Sequence, residues 1–286
     1  MASHHHELMP TQLAQVVRLL VKHGFRKIKL AGGEPTTRPD LEAIIRHLVA
    51  IPAIELSMIS NGTLLTPARI ARYYTAGLRR INISINTFQP DRYALLQGGR
   101  PALLQRALQS VPLLIATGYQ RPKINFIYFG PESDADLDEA IRFAMQHQIK
   151  ITLLNELPDA TELSGARPAI TTADLIDRVF TLGVASVITD HDPGSFATLC
   201  FTLNARVMLE VGHHQVGQAG VYQRCTQCQL QARCRESVFA QRLTPDGRLQ
   251  PCLLREDNQL DLRPYLASEW PEPEAHAQVA AFLAQL

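Results

Sequence analysis

The sequence lacks a dominant charge. Lys and Arg number 28 and Asp and Glu 27, a net charge of +1 at pH 7, so nothing electrostatic points to nucleic acid or an anionic membrane as a partner. Long apolar runs are missing too, since none approaches the roughly eighteen residues that a membrane-spanning helix needs. No apolar signal segment precedes the first helix, and a cytoplasmic protein is therefore expected. Cysteine is absent before Cys200. A chain of 286 residues that is 46% hydrophobic can bury a full core without covalent staples, which argues against a disulfide framework.

What is present is an alternation. Residues 10–24 carry Leu13, Val16, Val17 and Leu20 at helical spacing, and Gly24 closes the helix. A strand over 27–30 follows. The unit then repeats as helix 39–50, strand 54–59, helix 66–77, strand 80–85, helix 101–117, strand 123–128, helix 134–147 and strand 150–154, with helix 172–182 and strand 184–188 later. The expected fold class is α/β: short apolar strands separated by amphipathic helices imply a parallel sheet with right-handed crossovers, closed or partly closed as a barrel. After residue 190 the alternation stops. Residues 196–201 and 206–211 read as antiparallel strands, and Arg242-Leu-Thr-Pro-Asp-Gly-Arg-Leu as a hairpin whose Asp246-Gly247 turn delivers Cys252. The expected division is a partial β/α barrel over 1–190 and a smaller appendage with a terminal helix over 191–286.

In a β/α barrel, chemistry gathers at the carboxyl ends of the strands. The residues there are Gly32-Gly33-Glu34-Pro35, Ser60-Asn61-Gly62, Ser84 with Asn86, Lys123 and Asn125 along one strand, and Asn155-Glu156. Most are small or polar. Glycines let a ligand approach the backbone, and a carboxylate behind them can accept a hydrogen bond from an ammonium group. The same Gly-Gly-Glu-Pro string would also serve as a tight turn before a helix.

Four of the five cysteines lie late and together: Cys225, Cys228, Cys234 and Cys252. The short gap makes a turn and the longer gaps return the chain, so four thiolates can surround one metal centre, either a 4Fe-4S cluster or a structural zinc ion. Cys200 falls in an apolar strand pattern and reads as a core thiol. His213-His214 reads as a solvated loop, with metal ligation the alternative. The triple His4-His5-His6 reads as a frayed terminus or part of a purification tag.

Several strings together resemble the radical S-adenosylmethionine superfamily, and within it the GTP 3',8-cyclase family of molybdenum-cofactor biosynthesis. They are Lys29-Leu-Ala-Gly-Gly-Glu-Pro, Ile59-Ser-Asn-Gly, Ile81-Asn-Ile-Ser-Ile-Asn, Pro122-Lys-Ile-Asn, and Cys225-x-x-Cys228 followed by Arg242-Leu-Thr-x-Asp-Gly-x-Leu-x-x-Cys252-Leu. The resemblance implies that Gly32, Gly33, Glu34 and Pro35, with Ser84, lie against S-adenosylmethionine. It implies that Lys29, Ser60, Asn61, Lys123, Asn125 and Arg242 face a nucleotide-like substrate. Cys225, Cys228 and Cys252 match the three ligands of an auxiliary 4Fe-4S cluster, and Cys234 could close it as a fourth.

The sequence departs from that family in two places. Radical chemistry there uses a Cys-x-x-x-Cys-x-x-Cys loop ahead of the helix corresponding to 10–24, where residues 1–6 now stand with His4 in the slot of the third cysteine. Cleavage of S-adenosylmethionine is expected only with such a loop, because imidazoles do not supply the thiolate softness of a reducing cluster. The arginine-rich stretch that follows the Cys-x-x-Cys pair in the cyclases is reduced here to Gln229-Leu-Gln-Ala-Arg233. A related enzyme acting on another small molecule or a peptide, served by an electron donor protein, is the companion expectation. A non-catalytic cluster-binding protein and a zinc-stabilised binding protein are the alternatives. Without its first strand the barrel would expose an edge beside 27–31, which a second copy in a homodimer could cover.

Overall fold

The computed structural model describes residues 7–155, 172–191, 197–203, 207–212, 226, 240–252, 257–266 and 272–285. Helix α1 (Pro10–Lys22) starts with proline at its first position, where no amide hydrogen bond is lost, and Gln12 Oε1 accepts from the Met9 amide at 2.9 Å. It stops at Gly24, whose φ of +93° continues no helix. Strand β1 (Lys27–Leu30) follows, then α2 (Leu41–Val49), β2 (Glu55–Ser60), α3 (Pro67–Thr75), β3 (Ile81–Ser84), α4 (Pro90–Gln97), α5 (Ala102–Thr117), β4 (Lys123–Tyr128), α6 (Asp134–His147), β5 (Lys150–Asn155) and α7 (Thr172–Phe180). The remainder comprises β6 (Val184–His191), β7 (Ala197–Leu203), β8 (Val207–Gly212), a small sheet of β9 (Arg242–Leu243), β10 (Arg248–Gln250) and β11 (Leu260–Asp261), and α8 (Glu272–Leu283).

The large sheet runs β1-β2-β3-β4-β5-β8-β7-β6. The first five strands and β8 are parallel, while β7 is antiparallel to both β8 and β6. Strands β1 and β6 end the order, so the barrel is open rather than closed. Register sorts the side chains into two faces, because successive residues of a strand point to opposite sides. Ile28, Leu30, Leu56, Met58, Ile81, Ile83, Ile124, Phe126, Ile151, Leu153 and Leu209 share the face packed under the helices. Each of these that is fully buried contributes about 1.5 to 3 kcal/mol; Ile28 and Leu30, partly buried, contribute less. The opposite, inner face carries Lys29, Ser57, Asn82, Ser84, Lys123, Asn125, Lys150, Thr152 and Glu210.

A second apolar cluster joins the two ends of the chain. Val16, Leu19 and Leu20 of α1, with Leu8, pack against Leu249, Leu262, Leu266, Ala275, Val279 and Phe282. The Leu8 amide donates to Pro245 O at 2.8 Å, which ties the segment before α1 to the hairpin turn. Helix α1 thus buries two sides of its surface, one towards the sheet and one towards the hairpin and α8.

Two differences from the sequence reading concern topology. The strand expected at 184–188 does not continue the parallel series: β6 lies at the far edge, antiparallel to β7, because the chain turns straight back into the β7-β8 hairpin. The division placed at residue 190 falls inside this ladder, which pairs Val184 through His191 with Leu203 through Ala197 and extends the main sheet. Helix α4 was not expected; Leu95 and Leu96 on it are exposed, so it shows little apolar periodicity. The antiparallel pair over residues 196–211 and the hairpin at Asp246-Gly247 form as expected, with Gly247 at φ +93° and its amide donating to Thr244 O at 3.0 Å.

Candidate cofactor and ligand site at the strand ends

The loop after β1 turns through Gly32 at φ +131°, a conformation that side-chain-bearing residues rarely adopt. Gly33 has no such demand. A Cβ built on it meets nothing within 4 Å among the described residues, so open space lies beside this stretch of backbone. Glu34 follows, and its carboxylate organises the neighbourhood. Oε1 accepts from the Thr36 amide at 3.1 Å, the Thr36 hydroxyl at 2.5 Å and the Ser60 hydroxyl at 2.8 Å, while Oε2 accepts from the Asn61 amide at 2.7 Å. Pro35 begins the short 3-10 turn Pro35–Thr37 that brings Thr36 back to this carboxylate. One acidic side chain therefore pins the β1 loop to the β2 loop.

The β2 loop is locally built as well. Ser60 Oγ accepts from the Gly62 amide at 3.0 Å, and Asn61 Oδ1 accepts from the Thr63 amide at 3.0 Å and its hydroxyl at 2.8 Å. Gly62 sits at φ +75° against α5, where a Cβ would come within 2.7 Å of Ser110 Oγ and 3.1 Å of Ala107 Cα. Ser60 is buried and points to the helix-packed face, away from Lys29. Ser84 and Asn125 are registered partners on the inner face, and Asn82 Nδ2 lies 3.5 Å from Asn125 Oδ1. Asn86 is used by the sheet: its Oδ1 accepts from the Ile127 amide at 2.9 Å.

Further towards the amino ends of the strands, the inner face is cationic. Lys123 opens β4 and Lys150 opens β5, and both ammonium groups bond the Glu210 carboxylate, Lys150 at 3.0 Å. Thr152 Oγ1 donates to the same carboxylate at 3.3 Å. Burial alone would raise the Glu210 carboxyl, but hydrogen bonds and charge from Lys123 and Lys150 outweigh it and hold it below the usual carboxylate range. Lys29 differs from both lysines in having no ion-pair partner among the described residues. It is solvent-accessible on the inner face, in register with Ser57. Its ammonium is held below the ordinary lysine range, first by the protein around it and then by repulsion from Lys123, Arg80 and Lys27.

The sequence-proposed residues thus fall into separate groups. Gly32, Gly33, Glu34, Pro35, Ser60 and Asn61 adjoin one another at the β1 and β2 loops, and Ser84, Asn125, Lys29 and Lys123 share the inner face. Arg242 lies on β9, paired with Gln250 on the hairpin that packs against α1. Cys252 is half-buried just past β10, with its carbonyl accepting from Gln250 Nε2 at 2.5 Å. Cys225, Cys228, Cys234, Glu156, His213 and His214 lie outside the described residues. Cys200 is buried in β7. Sequence reasoning missed Glu210, Lys150 and Thr152. The signal for Glu210 was an acidic residue inside the apolar run Val207-Met-Leu-Glu-Val211.

The sequence profile described as "Radical SAM superfamily" matches residues 2–144. The chain belongs to the radical SAM superfamily. A GTP 3',8-cyclase of Pseudomonas putida is 29% identical over 270 residues, covering 92% of this chain and 74% of that protein. An archaeal relative from Methanosarcina acetivorans, named "Probable GTP 3',8-cyclase", is 26% identical over 262 residues, covering 90% of this chain and 71% of that one. Among solved structures, Streptococcus suis SuiB bound to S-adenosylmethionine superposes with a TM-score of 0.62 at 13% identity, over 94% of this chain and 58% of that chain. That likeness is one of fold, and it agrees with the open, mostly parallel sheet. As a radical SAM protein the chain has no thiol before Cys200. Among the described residues no group of three or more His, Cys, Asp or Glu side chains converges as a metal site. No helix among the described residues is long and apolar enough to cross a membrane.

Proposed function

We propose that this radical SAM protein is GTP 3',8-cyclase-like, with a cofactor loop at Gly32-Gly33-Glu34-Pro35 and Ser84 and a substrate surface on the inner face below it. The observation that carries this reading is Lys29, an exposed ammonium on the inner face, surrounded by like charge and without an ion-pair partner among the described residues, which suits an anionic ligand. Lys123 and Asn125 extend that surface and Asn61 borders it, while Ser60, turned to the other face, serves it only by holding Glu34. The substrate is nucleotide-like or a peptide. The open space beside Gly33 fits a ligand laid against the backbone. Glu34 Oε2 accepts one hydrogen bond within the described residues, which leaves it capacity for an ammonium donor.

Bound S-adenosylmethionine supplies a cleavable sulfonium-carbon bond, and a 4Fe-4S cluster the electron that cleaves it. Residues 1–199 offer no thiolate for a cluster beside the Gly32 loop, so no cleavage step is assigned to them. Within this reading the part of 191–286 that follows β8 is the auxiliary-cluster region, with Cys225, Cys228, Cys234 and Cys252 around one 4Fe-4S centre and Arg242 nearby. An electron donor protein, a cytoplasmic setting and a homodimer joined along the β1 edge belong to the same proposal.

The test is an anaerobic preparation assayed for metal and ligand. Iron and sulfide at about four each per chain support the cluster; a colourless zinc protein selects the zinc-stabilised alternative. Titration with S-adenosylmethionine should show binding that Gly33→Val abolishes without lowering the melting temperature, since no atom among the described residues lies within 4 Å of the added Cβ. Equal binding by the variant would overturn the loop assignment.

A further inference from the structure

The inner-face charges are not equivalent, and their difference bears on what the site can hold. Lys123 and Lys150 share one carboxylate, that of Glu210, whereas Lys29 has no ion-pair partner among the described residues. The three elements involved, β4, β5 and β8, are adjacent strands, and Thr152 donates a further hydrogen bond to the same carboxylate. Glu210 is 7% exposed, so its charge is shielded by protein rather than by water. Among these four side chains, Lys29, Lys123 and Lys150 against Glu210 leave an excess of two positive charges, and Arg80, which also repels Lys29, is paired with Glu55.

We propose that Glu210 is a specificity-determining, positioning residue: by engaging Lys123 and Lys150 it leaves Lys29 as the principal anion contact and suits the inner face to a carboxylate or a single phosphate rather than a polyphosphate. This rests on the reading of the inner face as the substrate surface, and it departs from a GTP-binding cyclase in the charge that the ligand carries. A ligand with one or two negative charges matches the excess and leaves the Glu210 ion pairs intact. A triphosphate brings about four negative charges beside a buried carboxylate, and each lysine that turns to a phosphate leaves Glu210 without its partner. Repulsion between fixed like charges a few ångströms apart in a protein-lined cleft is large enough to reorder ligands by tenfold or more. The acidic side chain acts through the two lysines, so its removal should change which anion is preferred and not only how tightly the chain folds.

The experiment measures the affinity of the full chain for inorganic phosphate and for tripolyphosphate by calorimetry at low salt, in the wild type, Glu210→Gln and Lys150→Met. The wild type should prefer phosphate. Glu210→Gln should strengthen tripolyphosphate binding about tenfold or more while changing phosphate binding by less than about threefold, which reverses the order. Lys150→Met keeps the Lys123–Glu210 pair and should weaken tripolyphosphate further; it carries the test if the Gln variant does not fold. Tripolyphosphate bound more tightly than phosphate by the wild type, an unchanged order in Glu210→Gln, or no binding of either anion by any of the three proteins overturns the proposal. Guanosine and GMP, titrated in parallel, separate this from the broader reading. Phosphate selectivity that depends on Glu210 without any gain from a guanine base would sink the nucleotide assignment and leave the charge assignment standing.

Discussion

Replacing Glu34 by Gln isolates what the carboxylate does for the cofactor loop. The native side chain accepts bonds from Thr36 N, Thr36 Oγ1 and Ser60 Oγ on one oxygen and from Asn61 N on the other. A Gln side chain has one acceptor oxygen and one amide nitrogen. Its better orientation keeps the oxygen towards Thr36 and Ser60 and sets the nitrogen against the Asn61 amide, donor facing donor. The lost bond is to a charged group and worth about 1.5 to 3 kcal/mol, and the other three weaken when the charge goes. The sum is roughly 2 to 4 kcal/mol, or a fall in Tm of roughly 5 to 12 °C for a domain near this size. Urea unfolding at neutral pH measures it, with an unchanged m-value as evidence that the same unit unfolds. Thr36→Val, which removes one hydroxyl donor and keeps the shape, should cost less, about 1 to 2 kcal/mol. A Gln variant within about 0.5 kcal/mol of wild type, or a Val variant that costs more than the Gln variant, would refute the reasoning.

Gly62→Ala should destabilise by about 2 to 4 kcal/mol, since it combines a left-handed backbone with a clash against Ala107 and Ser110; Gly98→Ala, also at positive φ but with no neighbour within 4 Å, should cost about 1 to 2 kcal/mol, and equal melting points for the two variants would refute the close-approach argument. His23 is held below 6.5 by burial and then by His276, whose Nδ1 lies 3.0 Å from its Nε2. The folded state therefore resists the proton that the unfolded state accepts, so stability is full above 6.5 and declines as pH falls from 6.5 towards the lowered folded value. His276→Gln should make that decline shallower in urea unfolding at stepped pH, and identical slopes would refute the coupling. If the four late cysteines bind one centre, Cys228→Ala should lose most of the metal, whereas Cys234→Ala should retain a three-ligand cluster with an exchangeable iron; an unchanged spectrum and iron accessibility in Cys234→Ala would refute the four-ligand set.

The parallel half of the fold is legible because its signals are local. Apolar residues repeat at helical spacing in α1, α2 and α6, glycines stand at Gly24, Gly77 and Gly118 where helices close, and strand lengths fall out between them. The Gly-Gly-Glu-Pro loop is equally local. What escaped depends on distant partners. Glu210 meets Lys123 across 87 positions of sequence, and nothing within β8 says which strand it will join. Helix α4 buries Tyr93, 1% exposed, and is otherwise tied by Arg92 to Asp136, Glu132 O and Ser133 Oγ, which is too little apolar contact to make a periodic pattern. The antiparallel placement of β6 follows from the short return into β7, a choice that apolar strand composition does not encode.

The two-sided packing of α1 makes the C-terminal hairpin and α8 a cover plate rather than an ornament. A fragment trimmed to the large sheet would carry Val16, Leu19 and Leu20 as a greasy ridge in water, and would lose the Pro245 anchor of Leu8, whose carbonyl accepts from Arg38 just past the Glu34 loop. Any lineage or design that shortens this protein must therefore repaint that ridge, and a change in the cover plate can be felt near the cofactor loop through the Leu8 segment, which bonds both Pro245 and Arg38.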